Sequence, residues 1–104
     1  MGKNFKVVHS ELVKDQITII FDWYENKIKG LGFKFFDSLE ITETQMLKTP
    51  FGFECKYRNT REIGIGKFPY MYIYTVELNV IYIHALFPTK SKPPNKYKKL
   101  GRKR

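Results

Sequence analysis

Cysteine is almost absent from this chain. Cys55 stands alone, so no disulfide can form within the molecule and no cysteine-rich metal site can be built. A single free thiol fits a reducing compartment, and with no base or co-ligand beside it Cys55 reads as a small hydrophobe. Histidine is nearly as scarce, with His9 and His84 near opposite ends of the sequence. No spacing of ligand residues suits a transition metal, and no cofactor is expected. No apolar run approaches the ~20 residues that a membrane-crossing helix requires. The opening MGKNFKVVHS has no apolar leader core, and Lys6 stands where a myristoylation signal wants Ser or Thr. These absences predict a cytoplasmic chain that does not engage a membrane.

Acidic residues are missing from one region altogether. Residues 88–104 carry 8 Lys and Arg with no Asp or Glu, whereas residues 1–87 carry 11 against 10. Hence +8 of the formal +9 charge sits in the last 17 residues. Charge that only confers solubility is spread over a surface. Charge this concentrated suits a polyanionic or acidic partner, though a solubilising terminus is the plainer reading. We place the domain boundary there: 1–87 as a folded domain, 88–104 as a basic C-terminal tail.

At 104 residues the body is one domain, and its 9 Phe, 7 Tyr and 1 Trp can bury much area for so short a chain. Phe5–Val8 reads as a short strand. Ser10 is a good N-cap, and Val13, Ile17, Ile20, Phe21, Tyr24 and Ile28 form one apolar helical stripe over residues 11–29. Gly30 and Gly32 break that helix. A second helix over about 31–48 should bury Phe35, Phe36, Leu39, Met46 and Leu47, and Thr49-Pro50 ends it. The short connection predicts antiparallel packing. Beyond it, 53–58, 61–67, 70–78 and 80–87 read as strands of a meander, with Phe68-Pro69-Tyr70 as one turn and Leu78-Asn79 as another. Gly64 and Gly66 on one strand face predict a close approach by something.

Several of these residues carry a family likeness. Arg61, Lys67-Phe68-Pro69-Tyr70, Tyr72 to Tyr74, a last strand ending in Phe87 and a Thr89…Pro93 turn follow a helical hairpin containing Asp22-Trp23-Tyr24 and Gly30-Leu31-Gly32. Over about residues 5–97 this resembles the RelE/ParE toxin superfamily, most closely its ParE-like plasmid-stabilisation branch. The resemblance implies an α+β fold: an N-terminal helical hairpin packed on a twisted, mainly antiparallel sheet of four to five strands. It also implies the toxin of a type II toxin–antitoxin system, held by a cognate antitoxin and acting on DNA gyrase. Two alternatives stand beside it: a RelE-like, metal-independent endonuclease cutting mRNA on the ribosome, and a non-toxic basic RNA- or ribosome-binding module.

The candidates for chemistry are Arg61 and His84, with Tyr72 and Tyr74 as companions. RelE-like nucleases use a basic cluster on the sheet to offset charge on the scissile phosphate. Here Met71 and Pro88 occupy places where the resemblance implies functional groups, which weighs against cleavage. His84 has a suitable unperturbed pKa near ~6.5, yet a lone strand histidine is more often hydrogen-bonded filler. His9 reads as structural or solvated. For contact with a target or nucleic acid the candidates are Arg61, Lys67, Lys90, Lys92, Lys96, Lys98, Lys99 and Arg102.

Overall fold

The structure, a computed structural model, describes residues 4–89. A short strand β1 (Lys6–His9) leads into helix α1 (Glu11–Lys27) and helix α2 (Leu31–Lys48). Strands β2 (Cys55–Tyr57), β3 (Thr60–Ile65), β4 (Phe68–Glu77) and β5 (Val80–Pro88) follow. They form one sheet in the order β1-β5-β4-β3-β2. β1 runs parallel to β5, and every other pairing is antiparallel. The expected α+β architecture is present. No described helix is long and apolar enough to cross a membrane.

Local chemistry accounts for the helical hairpin. The Ser10 hydroxyl accepts from Val13 N–H, as an N-cap should, and donates to the carbonyl of His84, tying the start of α1 to β5. α2 begins at Gly30, in the left-handed region at φ 93°, with no side-chain cap of its own. Glu25 of α1 supplies one: its two carboxylate oxygens accept from Gly30 and Gly32 N–H, each at 2.8 Å. A carboxylate at a helix N-terminus also suits the macrodipole. Gly32 is required for a second reason, because a Cβ there would lie 2.7 Å from the Phe21 ring. Glycine thus lets the helices touch at one end, while at the other Glu43 of α2 reaches His9, just ahead of α1. The helices are therefore antiparallel.

Both helices pack on one face of the sheet. Val13, Phe35, Leu39 and Met46 bury against Ile63, Ile65, Tyr72, Tyr74, Val76, Ile81, Ile83 and Leu86, with Ile17, Ile20 and Tyr24 half-buried at the margin. The predicted stripes hold in their central residues and fail at their edges. Ile28, the C-cap residue of α1, is 63 % exposed, Leu47 is exposed on α2, and Phe36 stacks on Phe21 of α1, its ring centroid 4.4 Å away, while staying partly open to solvent. A second apolar group, Met71, Ile73, Ala85 and Phe87, occupies the opposite face of the sheet.

Four strand details differ from expectation. The β3–β4 turn is Gly66-Lys67, not Phe68-Pro69-Tyr70, because Ile65 already pairs with Phe68. Gly66 has φ 52° and its Cβ position would be 3.0 Å from Ser38 Oγ, so close approach explains this glycine. Gly64 is exposed with open space beside it, so there the inference fails. β2 is short and exposed throughout, and Cys55 is a surface thiol on this edge strand rather than a buried hydrophobe. Finally, Tyr74 pairs with Ile83 while Ile73 pairs with Ala85, leaving His84 as the extra residue of a β-bulge. Strict alternation would put Ala85 on the face opposite His84. The bulge instead brings both to the face away from the helices.

Candidate functional surfaces

Arg61 leaves β3 on the helical face of the sheet, opposite Tyr74. Its Nη1 donates to the carbonyls of Phe53 at 2.6 Å and Phe51 at 3.3 Å, and its guanidinium lies 5.3 Å from the Phe51 ring centroid. Phe51 in turn meets Phe5 edge to face, and the Tyr74 hydroxyl donates to the Pro50 carbonyl. Arg61 thus organises the loop between α2 and β2. The carbonyls of a loop that ends a helix need donors, and a forked guanidinium satisfies two of them while stacking on a ring.

His84 sits on the other face, where its Nε2 hydrogen-bonds Thr75 Oγ1 at 2.8 Å. Burial pushes its pKa below the usual imidazole value, against a smaller upward pull from Glu77. The ring is therefore neutral near pH 7. Arg61 and His84 are separated by the sheet itself, so no substrate atom can touch both. Tyr72 and Tyr74 are fully buried on the helical side. Burial holds the Tyr72 hydroxyl far above the ordinary phenol range, the nearby Glu43 carboxylate adding to it; burial raises Tyr74 to about 12, with Arg61 opposing. Both phenols stay protonated as donors to protein acceptors. The four residues do not converge on one site.

Lys67 is exposed at the tip of the β3–β4 hairpin, a surface cation on a tight turn. Lys90, Lys92, Lys96, Lys98, Lys99 and Arg102 lie outside the described residues. Among the described residues no group of three or more His, Cys, Asp or Glu could hold a metal.

Two features escape sequence reasoning. The first is a polar node under the sheet: Tyr72 donates to Glu43 Oε2 at 2.6 Å, and His9 Nε2 lies 2.9 Å from the same oxygen. The hydrogen bond to Glu43 raises the His9 pKa, with desolvation opposing. Its members lie far apart in sequence, and only the parallel β1–β5 pairing brings His9 there. The second is an apolar groove between α1 and the end of β5, lined by Gln16, Ile19, Ile20, Tyr70, Leu86, Phe87 and Pro88. β1 pairs only as far as Ile83, so among the described residues no strand neighbours the Leu86 backbone on that side. Gln16 stands in for one, accepting from Leu86 N–H at 2.8 Å and donating to its carbonyl at 3.0 Å. Ile19, in the groove lining, is 67 % exposed, and Trp23, one turn further along α1, is 56 % exposed with Lys27 Nζ 4.9 Å from its ring. A signal exists: both are apolar residues off the Val13–Ile17–Ile20–Tyr24 stripe. Large exposed apolar residues beside a groove mark an interaction surface more often than solvent-facing filler.

No family model matches this sequence, and no curated protein matches it. The architecture does find similar chains among solved structures. A chain in the structure of the chromosomal ParDE TA system from P. aeruginosa superposes with a TM-score of 0.72 at 11% identity, over 82% of this chain and 96% of that one. Identity that low carries the architecture alone. Two helices ahead of a five-stranded, mainly antiparallel sheet, matched over nearly the whole of that chain, give this protein the ParE-like fold.

Proposed function

We propose that this chain is the toxin of a toxin–antitoxin pair, ParE-like in action as well as in fold, and that it works in the cytoplasm on DNA gyrase. The observation that carries the proposal is the match of helical hairpin and sheet to a chain of a ParDE toxin–antitoxin system, on top of the resemblance in residues 5–97. The cognate antitoxin would lay a helical or extended segment along the sheet and hairpin. The groove beside α1, lined by Ile19 with exposed Trp23 one turn further along the helix, offers it an apolar seat. The basic tail and Lys67 would supply attraction to the target, Arg61 acting from a more shielded position.

Gyrase is favoured over ribosomal mRNA by the disposition of the candidate catalytic groups. A metal-independent nuclease needs cations and a proton-transfer group converging within hydrogen-bond reach of one phosphate. Arg61 is engaged with loop carbonyls on one face, and His84 is neutral on the other. Controlled expression tests the class. The chain alone should arrest bacterial growth, and co-expression of the small acidic protein encoded beside it should restore growth. Harmless accumulation of folded protein would favour the basic RNA- or ribosome-binding module instead.

A further inference from the structure

The sheet ends in two edge strands, β1 and β2. A two-residue turn holds β2 in place: Arg58 and Asn59 both take left-handed backbone, at φ 45° and 65°, which lets Tyr57 pair with Thr60. The three residues of β2 are exposed, and among the described residues its one strand neighbour is β3. An open edge offers backbone N–H and C=O groups to a further strand. Proteins guard such an edge with short length, a bulge and charge, and β2 has all three. A charge guards only where it meets its like, so the order of charges along this strand decides the outcome.

We infer that this edge pairs with the same edge of a second copy of the chain, antiparallel and centred on Cys55, joining two five-stranded sheets into one. The charge order carries the inference. Glu54 and Lys56 flank Cys55 and lie on one face of the strand, with Lys56 Nζ 3.0 Å from Glu54 Oε1. Two copies related by a two-fold axis through this point meet with residue 55 opposite itself. Glu54 then faces Lys56 of the second copy, and Lys56 faces its Glu54. Two ion pairs within strands become an alternating group of four charges. Both side chains are accessible, Glu54 at 73 % and Lys56 at 43 %, so the contact requires no rearrangement of the fold.

Neighbouring registers and the other edge lack this match. A slip that centres the pair on Glu54 or on Lys56 sets like charges directly opposite, which is destabilising. β1, with the sequence KVVH, contains no acid, so no antiparallel register of β1 on itself pairs opposite charges. Cys55 at the centre has a small side chain that two strands can bring together at the axis. The bulge and the shortness of β2 limit the contact to a few residues, which makes the dimer weak and sensitive to salt. In the strand order β2 lies three places from β5. A copy joined at β2 therefore leaves the groove between α1 and β5 open, and the dimer presents two such grooves.

Sedimentation equilibrium of the full chain, at low salt and rising concentration, measures the association. We expect a monomer–dimer equilibrium that Glu54→Lys and Lys56→Glu each weaken by about tenfold or more, because each turns both cross-strand pairs into like-charge contacts. Mixing the two variants in equal amounts restores opposite charges in the mixed pair and should return the association to near that of the unaltered chain. A chain that stays monomeric at millimolar concentration would overturn the inference. So would variants that dimerise as well as the unaltered chain, or a mixture no stronger than its components. Amide hydrogen exchange locates the contact without any substitution. Protection of residues 54–56 that grows with concentration supports the inference; concentration-dependent protection confined to α1 or another surface refutes it. Protection of these amides that appears only when the acidic protein encoded beside the chain is added would assign the edge to that protein and refute it too.

Discussion

The hydroxyl of Tyr72 donates to Oε2 of Glu43 at 2.6 Å, from a side chain wholly removed from solvent. That bond joins β4 to α2, and His9 brings β1 to the same oxygen. Glu43→Ala would leave the Tyr72 hydroxyl buried without its acceptor, at a cost of about 1–3 kcal/mol. Tyr72→Phe in that background should recover part of the loss, since it removes the unsatisfied group. Chemical denaturation of the four proteins of this cycle measures the coupling; strictly additive effects would show that the node contributes nothing.

The two histidines should pull the pH dependence of stability in opposite directions. His9 has a raised pKa through its bond to Glu43, so its contribution is complete below about 6.5 and is lost as pH rises through the folded value. His84 has a lowered pKa through burial, so its contribution is present above about 6.5 and is lost as pH falls. Between pH 5 and 8, His84→Gln should leave a protein whose stability declines with rising pH. His9→Gln should leave one whose stability declines with falling pH. Thermal melts across that window would show it, and identical profiles for both variants would refute the assignment.

Glycine substitutions should separate by what each position meets. Gly32→Ala drives a methyl to 2.7 Å from the Phe21 ring and 2.8 Å from the Phe21 carbonyl oxygen, which should cost about 1–3 kcal/mol. Gly64→Thr places a β-branched residue in open space on an ordinary strand and should stabilise by about 0.5–1 kcal/mol. Urea denaturation midpoints measure both. Equal destabilisation would mean that something packs closely at Gly64.

The tail's charge can be removed without touching the folded body. Replacing Lys90, Lys92, Lys96, Lys98, Lys99 and Arg102 by Gln removes six of its cations. For every phosphate that one of these cations neutralises, the log–log salt dependence of nucleic-acid binding should flatten by about one unit. The melting temperature should hold. A variant with the full salt slope would locate binding on the body, at Lys67 and its neighbours.

Local chemistry makes the helical hairpin legible. The Ser10 cap, the 3.6-residue stripe and the break at Gly30 to Gly32 are short-range signals, and the structure bears them out. What escapes is long-range or irregular. Nothing local announces that β1 pairs in parallel with β5, so no pattern links His9 to Glu43 and Tyr72. A bulge leaves no mark on an alternating sequence, and simple alternation therefore gives His84 the wrong neighbours. Residue type alone makes Cys55 a buried hydrophobe, yet it lies on a three-residue edge strand that buries none of its side chains. Arg61 stands out through its place in a motif. Its partners, the carbonyls of Phe51 and Phe53, are backbone atoms that no sequence pattern displays.

Supercoiling of relaxed plasmid by purified gyrase, with the chain added in increasing amounts and then with its antitoxin, tests the central claim most directly. A translating extract is probed in parallel for mRNA breaks. The predicted result is loss of supercoiling, relieved by the antitoxin, with no codon-dependent cuts in the message. Intact supercoiling together with codon-dependent cuts that vanish in Arg61→Ala or His84→Ala would contradict it and make the chain a ribosome-dependent nuclease on the same fold.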